Sequence, residues 1–352
     1  MAYIEYHNIG ISGLAACVPK LVIDNTKPSD FFSEKEAKAI VRMTGIKQRR
    51  KAPPSVCASD MCYAAASRLL SEMDVDICEI DVLLFVSQTP DYKMPSTASI
   101  LQSRLNLPKS TAAFDVNLGC SGYVYGLSIA YAFCNQPSIR RVLLLNGETR
   151  TRAYSPKDKS TGMLFGDGAA ATLIEKGSMY GNSYFSLNTD GSRSDYIKIK
   201  AGGYRYPSSL DSLSEKEYPD GSIRTEEQGV MDGPGVFDFT IDEVPKDIRT
   251  ILEYSKTKVD ELDVCYLHQA NKFITDHIAK KLQISPDKVP YSLSKYGNTS
   301  SVSIPLTMVS ETPAMMRNNE LKVLVCGFGV GLSWASGVLK ISKPYVAELL
   351  EV

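Results

Sequence analysis

The sequence predicts an α/β protein built from two similar halves, with helices covering buried sheets. Short apolar runs rich in β-branched residues are typical of buried strands, and they occur at 82–86, 142–146, 264–267 and 323–326. Longer segments with apolar residues at helical spacing lie around them, at 57–73, 96–106, 121–134, 243–257, 272–282 and 303–316. This alternation of strands and helices is typical of α/β folds.

An internal repeat predicts the two halves. The segment "EIDVLLFV" resembles "ELDVCYLH", "RRVLLLNG" resembles "LKVLVCGF", and "LGCSGYV" can be laid on "YGNTSSV". The three pairs follow one order and lie about 180 residues apart, as expected for a duplicated unit. We predict an N-terminal half, 1–178, and a C-terminal half, 179–352, packed as one unit.

Two further segments shape the expected fold. Residues 4–16 have the pattern of a first strand, which ends before Pro19. Residues 203–235 break the alternation because they are rich in Gly, Pro, Ser and charge. A connection of this length in a compact protein is a lid, a binding element or a disordered excursion.

The charge and hydropathy exclude several function classes. The chain has 39 basic and 40 acidic residues, a net charge of −1, which does not favour binding to nucleic acid or to a membrane surface. No run of eighteen apolar residues exists, so no spanning helix is expected. Leu14-Ala15-Ala16-Cys17 looks like a lipoprotein cleavage site, but no basic region precedes it.

The cysteines point to a reducing compartment. Eight are scattered along the chain without a CxxC pair, and the three histidines lie far from any cysteine cluster. This pattern predicts neither a disulfide framework nor a zinc site. No phosphate-binding loop is present either. We expect a cytoplasmic protein with no bound metal or cofactor.

Cys120 stands where a strand-like segment, Phe114 to Val116, runs into an apolar helix. A thiol at a helix N-terminus meets unpaired N–H groups and the positive end of the helix dipole, and both favour the thiolate. Free cysteine is also among the residue types most often buried in cores. The local sequence leaves two interpretations open, a nucleophile and a buried small side chain.

His268 directly follows the apolar run 264–267, so it lies at the C-terminal end of a predicted strand. Active sites of α/β proteins tend to lie at such strand ends. Asn271 follows as a residue that favours the N-cap of the next helix. A structural histidine and a catalytic one both fit this position.

Asn298 occupies the place in the second half that Cys120 holds in the first. A helix N-cap would also explain it. If a pseudo-two-fold axis relates the halves, the two helix starts meet near it. The glycine-rich segment 326–334 follows a predicted strand, so it is either a tight turn between two core strands or a close approach of backbone to a ligand or another chain segment. An N–H of this segment and that of Cys120 could form an oxyanion hole.

These segments together resemble the β-ketoacyl-acyl-carrier-protein synthase III family of the thiolase superfamily. The resemblance rests on "TGIKQRR", "AFDVNLGCSGYVYGLSIA", "FGDGAA", "HQANKFI", "YGNTSSVSIP" and "GFGVGLSW", which follow the family's order through nearly the whole chain. It implies a five-layered αβαβα fold, a homodimer and a decarboxylative Claisen condensation. The implied substrates are acyl-coenzyme A or acyl-carrier-protein thioesters.

The resemblance also implies roles for individual residues. Cys120 would be the acylated nucleophile, with His268 and Asn298 as its partners. The N–H groups of Cys120 and Val330 would form the oxyanion hole. Gly329 and Phe328 would support the triad.

Some positions depart from the family pattern. Family members have a tryptophan that stacks on the coenzyme A adenine, and this chain has Ala39 at that position. An arginine of the same family site is replaced by Met43. Arg152 matches another arginine that contacts coenzyme A. Met94 stands where the family has a phenylalanine that reaches into the acyl tunnel of the partner subunit. The resemblance groups Arg152, Met94 and Asn271 as substrate-binding residues.

The carrier-protein surface also differs. Family members have an arginine that contacts the carrier protein, and this chain has Phe273 at that position. Three basic residues remain nearby in the sequence, Lys272, Lys280 and Lys281. They are predicted to meet an acidic carrier protein, although a solvated helix face explains them equally well.

Three functions remain open from the sequence. The first is condensation of a Cys120-bound acyl group with malonyl-acyl-carrier protein, giving a β-ketoacyl-carrier protein in fatty-acid or related biosynthesis. The second is an acyltransferase that moves the acyl group to an alcohol or amine without decarboxylation. The third is a non-catalytic carrier-binding partner. A 3-hydroxy-3-methylglutaryl synthase would require a glutamate base after the third strand. This chain has Ser87 and Gln88 there, which does not favour that function.

Overall fold

The strands form two large mixed sheets and three two-stranded sheets in the computed structural model, which describes residues 2–352. The strands are β1 (Ala2–His7), β2 (Ile9–Val18), β3 (Val22–Asp24), β4 (Gln48–Arg50), β5 (Ile80–Val86), β6 (Ala112–Val116), β7 (Arg141–Glu148), β8 (Gly168–Lys176), β9 (Asn182–Thr189), β10 (Ile197–Lys198), β11 (Lys216–Glu217), β12 (Ile223–Arg224), β13 (Val230–Met231), β14 (Val264–Leu267), β15 (Glu320–Gly329), β16 (Ser333–Ser342), β17 (Tyr345–Val346) and β18 (Leu350–Glu351). The first large sheet has the order β17-β2-β8-β7-β5-β6, with β18 also paired to β2, and the second has the order β1-β9-β16-β15-β14.

Helices lie between the two large sheets, on their outer faces and in the segments that connect the strands. They are α1 (Glu34–Thr44), α2 (Ala58–Glu72), α3 (Thr97–Arg104), α4 (Gly122–Cys134), α5 (Arg150–Ala153), α6 (Leu210–Leu213), α7 (Gly233–Tyr254), α8 (Lys272–Lys281), α9 (Leu293–Tyr296), α10 (Ser303–Glu311) and α11 (Pro313–Asn318). Helices α4 and α10 lie between the sheets and contact strands of both. Helices α2 and α3 cover the outer face of the first sheet, and α7, with α8 packed on it, covers that of the second. This is the predicted five-layered αβαβα arrangement.

The internal repeat corresponds to equivalent elements in the two sheets. β5 pairs in parallel with β7, and β14 pairs in parallel with β15. Helices α4 and α10 follow the matched segments that hold Cys120 and Asn298. The termini cross between the sheets, because β1 joins the second sheet while β17 and β18 join the first. The exact limits of the halves, 1–178 and 179–352, stay a prediction.

The predicted single strand 4–16 is wrong, because two strands of different sheets share this segment. Asn8 separates β1 from β2 with a φ of 56°, in the left-handed region that Asn tolerates better than most residues. Its backbone N–H donates to Gly181 O, and its carbonyl accepts from Gly177 N. Apolar residues on both sides of Asn8 had hidden this break.

Two predicted helix boundaries also differ from the structure. Helix α7 begins at Gly233 rather than near residue 243, because the Asp232 carboxylate accepts a hydrogen bond from Gly235 N as an N-cap. Pro234 suits a first helical turn, where its missing N–H is not needed. The predicted helix 303–316 is two helices, since α11 begins afresh at Pro313.

Candidate active site

A cavity of about 480 Å³ lies where the two halves meet. Six of the residues predicted for the site line it, namely Cys120, His268, Asn271, Asn298, Phe328 and Gly329. The remaining wall is mostly apolar and includes Met163, Leu164, Phe165 and Phe237. The structure therefore brings the three predicted catalytic residues to one enclosed space.

Cys120 sits in the turn directly before α4, and only 7% of its surface is exposed. The Val330 N–H donates a hydrogen bond to its thiol, and Ser300 Oγ lies 4.0 Å from its Sγ. Gly329 has a φ of 153°, and a Cβ there would lie 2.8 Å from both Cβ and Sγ of Cys120. Glycine is needed at 329 because any side chain would displace the thiol.

The electrostatics of the cavity favour the thiolate of Cys120. Burial is the largest influence, and it raises the pKa of the thiol. The charge and hydrogen bond of His268, the charge of Arg150 and the Val330 N–H together outweigh burial and lower the pKa from 9.0 to about 6. At pH 7 such a thiol is mostly thiolate, against a few per cent for an ordinary cysteine.

We expect iodoacetamide to alkylate Cys120 with a midpoint at about pH 6. The rate should rise as pH passes this value and level off above it, because only the thiolate reacts. Peptide-resolved mass spectrometry measures this rate alongside two internal references, exposed Cys78 and buried Cys134. Burial raises the pKa of Cys134 to about 12, so it should stay unmodified. A Cys120 rate that keeps rising through the range of a model thiol would contradict the lowered pKa.

His268 follows β14, and its side chain is almost fully buried. Its Nδ1 lies 2.7 Å from Ser303 Oγ, and its ring packs edge-on against Phe328 with the centroids 5.4 Å apart. The Gln269 N–H also donates to Ser303 Oγ, at 3.4 Å, so the hydroxyl hydrogen of Ser303 can point to Nδ1. In neutral His268 this arrangement favours the tautomer that carries its proton on Nε2.

We expect Ser303→Ala to slow the reaction of this site roughly 5- to 30-fold, since losing one buried hydrogen bond costs about 1–2 kcal/mol. The reason is that neutral His268 would lose the partner that fixes its tautomer. Ser301→Ala is the matched control, because Ser301 Oγ is buried and has no partner within residues 2–352. Equal turnover in the two variants, at equal thermal stability, would exclude a positioning role for Ser303.

Asn298 is held by backbone on both sides. Its own N–H donates to Leu164 O at 3.0 Å, and its carbonyl accepts from Gly166 N at 3.0 Å. Its side-chain Oδ1 accepts from Ser300 N at 2.9 Å. Because the oxygen is engaged, the amide group is oriented and its NH₂ is the part left to donate in the cavity.

Asn271 both caps a helix and lines the cavity. It is the N-cap of α8, as the sequence predicts, with Oδ1 accepting from Ile274 N at 2.8 Å. It also lines the cavity, next to the start of that helix.

Other predicted site residues lie outside the cavity wall. Arg152 donates to the carbonyls of Pro53 and Val56, both at 2.6 Å. Met94 is 74% exposed on the loop before α3. The three lysines are on α8, where Lys272 pairs with Asp276 at 2.6 Å, Lys281 donates to Ile241 O and Lys280 lies in the last turn.

Arg150 and Glu148 are buried residues beside the thiol that the sequence did not single out. Arg150 lines the cavity with 4% of its surface exposed. Glu148 ends β7, accepts hydrogen bonds from Thr89 Oγ1 and Gln88 N, and has its pKa raised by burial to about 7. A polar pair at the C-terminal end of a buried strand, as in "NGETR", is the signal that could have indicated them.

The segment 203–235 forms part of the cavity wall. It packs on residues 153–159 through the Arg224–Asp158 ion pair, at 2.8 Å, and the hydrogen bond from Gly229 N to Ala153 O. Its C-terminal part contributes Met231, Gly233 and Pro234 to the lining. Of the three interpretations of this segment, the structure therefore favours a binding element.

No helix within residues 2–352 combines the length and the apolarity that crossing a bilayer would require. The same residues contain no cluster of three or more His, Cys, Asp or Glu side chains placed to hold a metal ion.

Comparison with known proteins identifies the family of the chain. Residues 114–191 match the family model for 3-oxoacyl-[acyl-carrier-protein] synthase III, and residues 252–341 match the model for its C-terminal part. A Campylobacter jejuni relative is 36% identical over 351 residues, covering 97% of this chain and 96% of its own. This chain belongs to the 3-oxoacyl-[acyl-carrier-protein] synthase III family of the thiolase superfamily.

Two named members of this synthase III family show how far the likeness extends. The β-ketoacyl-[acyl-carrier-protein] synthase III of Caldanaerobacter subterraneus subsp. tengcongensis is 33% identical, covering 95% of this chain and 98% of its own. The crystal structure of a 3-oxoacyl-(acyl-carrier protein) synthase from Burkholderia xenovorans has a TM-score of 0.93 at 34% identity, covering 100% of this chain and 99% of its own. The whole chain therefore has the synthase III fold.

Proposed function

We propose that this protein catalyses the decarboxylative condensation of an acyl group on Cys120 with malonyl-acyl-carrier protein. The product is a 3-oxoacyl-carrier protein, for fatty-acid or related acyl-chain biosynthesis. One observation carries the proposal: a thiol of lowered pKa shares a single cavity with the side chains of His268 and Asn298. The names of the relatives, which are 3-oxoacyl-carrier-protein synthases, support the same activity.

The first step is transfer of an acyl group to Cys120. The thiolate attacks the carbonyl carbon of an acyl-coenzyme A or acyl-carrier thioester, the old C–S bond breaks, and the departing thiolate takes a proton. The Val330 N–H already points at Cys120, so with the Cys120 N–H it forms the oxyanion hole in this proposal. Acylation consumes the thiolate and leaves a neutral thioester.

The second step is loss of carbon dioxide from the malonyl group. The enolate that forms needs hydrogen-bond donors on its oxygen. Neutral His268, protonated on Nε2 by virtue of the Ser303 contact, and the Asn298 amide supply two such donors. The carbanion then attacks the acyl-cysteine, a 3-oxoacyl-carrier protein leaves, and the thiolate is restored.

The partners follow from the family and from the exposed residues. An acyl carrier protein is the expected thioester donor. Basic groups for an acidic partner lie on α8, with Lys272 at the end of the helix that borders the cavity and Lys280 and Lys281 in its last turn. Phe273, which follows Lys272, is half exposed and lines the cavity. We also propose a homodimer, in which exposed Met94 would reach the partner subunit. In that arrangement Met94, Arg152 and Asn271 would contact substrate.

The alternative is an acyltransferase that passes the acyl group from Cys120 to an alcohol or amine. The same thiolate would serve it, but the paired neutral donors His268 and Asn298 would have no enolate to stabilise. Incubation with an acyl thioester and malonyl-carrier protein distinguishes the two functions. Condensation releases one carbon dioxide for each 3-oxoacyl product, whereas acyl transfer to an added alcohol or amine without carbon dioxide would favour the alternative.

A further inference from the structure

We infer that Arg150 selects an acyl group that carries an oxygen acceptor, a carboxylate or a hydroxyl, along its chain. The inference rests on the proposed acylation of Cys120 and names the class of acyl group that this cysteine takes. Arg150 is the residue of interest because its side chain is buried in the cavity wall and its Nε has no hydrogen-bond partner among residues 2–352.

Arg150 is fixed in place by aromatic rings rather than by hydrogen bonds. Its guanidinium carbon lies 5.6 Å from the ring centroids of both Tyr154 and Phe165, which stack on each other at 4.1 Å. Its Nε is buried without a hydrogen-bond partner among residues 2–352. No carboxylate of these residues forms an ion pair with it. Burial lowers the pKa of Arg150, but the charges of Tyr154, Glu148, Cys120 and Asp167 outweigh burial and raise it. The Nε–H of this guanidinium therefore has no acceptor among residues 2–352, and a buried donor without an acceptor costs free energy.

The other cation of the cavity differs in this respect. Lys159 also lines the cavity, but it pairs with Glu36 at 2.7 Å and lies over the rings of Phe31 and Phe32. Its charge is therefore compensated by the protein itself. Lys159 thus has a direct carboxylate partner whereas Arg150 has none among residues 2–352, so a ligand oxygen would add such a partner at Arg150 and not at Lys159.

The chemistry of acylation increases this need. In the free enzyme the Cys120 thiolate provides a negative charge that Arg150 stabilises, since the charge of Arg150 lowers the pKa of the thiol. Forming the thioester neutralises the sulfur and leaves the guanidinium facing an apolar wall that includes Leu164 and Phe165. An oxygen on the incoming acyl group restores the lost acceptor through a charge-assisted hydrogen bond.

The malonyl carboxylate fits this position poorly. A guanidinium that holds a carboxylate stabilises the ground state of a group that must leave as carbon dioxide, which would oppose the decarboxylation. The acyl group that stays on Cys120 carries no such conflict. The acceptor therefore belongs to the acyl group rather than to the extender.

The test compares acyl groups of equal length. Butyryl-, 3-hydroxybutyryl- and succinyl-coenzyme A are each mixed with the enzyme, and the rate of mass addition to the Cys120 peptide is measured. We expect the hydroxyl or the carboxylate form to load at least about 10-fold faster than butyryl, the effect of one charge-assisted hydrogen bond. The faster of the two identifies the acceptor.

Arg150→Leu should lose or reverse this preference, and Arg150→Lys should keep part of it. The ratio of rates within one variant is the readout, because a higher pKa of Cys120 in Arg150→Leu slows all three substrates alike. Arg140→Leu is the matched control, since Arg140 precedes the opposite end of β7 and pairs with Asp81. Its ratio should equal that of the wild type.

Equal loading of all three groups by the wild type would overturn the inference. So would an Arg150→Leu variant that keeps the preference and changes only the KM for malonyl-carrier protein. Neither result affects the proposed function, since condensation can still be followed with butyryl. If no thioester loads while iodoacetamide still modifies Cys120, the proposed function fails, and the inference fails with it.

Discussion

Cys120→Ala should reduce acyl transfer to the uncatalysed background. Without the sulfur there is no thioester intermediate, and removing a nucleophile typically costs on the order of 10⁶-fold in rate. The measurement is product formation from an acyl thioester and malonyl-carrier protein, together with the absence of added mass on the protein.

Cys134→Ala is the control for this variant. Cys134 is also buried on α4, but its thiol donates to Ile174 O and burial raises its pKa to about 12. We expect it to keep activity and to lose only a little stability. Activity that survives Cys120→Ala, or acyl mass on another cysteine, would contradict the assignment of the nucleophile.

His268→Ala should affect the two half-reactions differently. Decarboxylation loses a hydrogen-bond donor and should fall on the order of 100- to 1000-fold at every pH. Self-acylation should fall at neutral pH for another reason, because His268 helps to lower the pKa of Cys120 to about 6. In the variant the pKa of the thiol rises, so thiolate is scarce at pH 7 and returns as pH passes the new, higher value.

Self-acylation of His268→Ala should therefore recover in alkaline buffer while carbon dioxide release does not. The two half-reactions are followed separately, by the mass of the Cys120 peptide and by carbon dioxide from malonyl-carrier protein. Asn298→Ala provides the comparison, since its neutral amide should contribute to decarboxylation without moving the alkylation midpoint of Cys120. Equal and pH-independent loss of both half-reactions in His268→Ala would contradict this division.

Much of the fold was visible in the sequence because the repeat marks buried elements. The matched apolar runs became equivalent strands, and the matched segments placed Cys120 and Asn298 just before the two central helices, α4 and α10. Boundaries were less predictable. Asn8 divides an apolar run between two sheets, and a Gly-Pro segment that indicated a loop is the capped start of α7.

The site residues that belong to a local sequence motif were predictable. Those whose orientation depends on tertiary packing were not. Arg150 and Arg152 lie two residues apart on α5, so they point in different directions from the helix axis. The sequence favoured Arg152, yet Arg150 faces the cavity while Arg152 binds the carbonyls of Pro53 and Val56. Ser303 was missed for a similar reason, because its contact with His268 joins residues 35 positions apart.

One measurement tests the central claim most directly. The enzyme is acylated with an acyl thioester, and the unreacted thioester is removed. Malonyl-carrier protein is then added, and the mass of the Cys120 peptide is measured over time by mass spectrometry. The account predicts that the acyl mass leaves Cys120 as one carbon dioxide and one 3-oxoacyl-carrier protein appear. Acyl mass that stays on Cys120 in the presence of malonyl-carrier protein, or leaves without carbon dioxide, would contradict it.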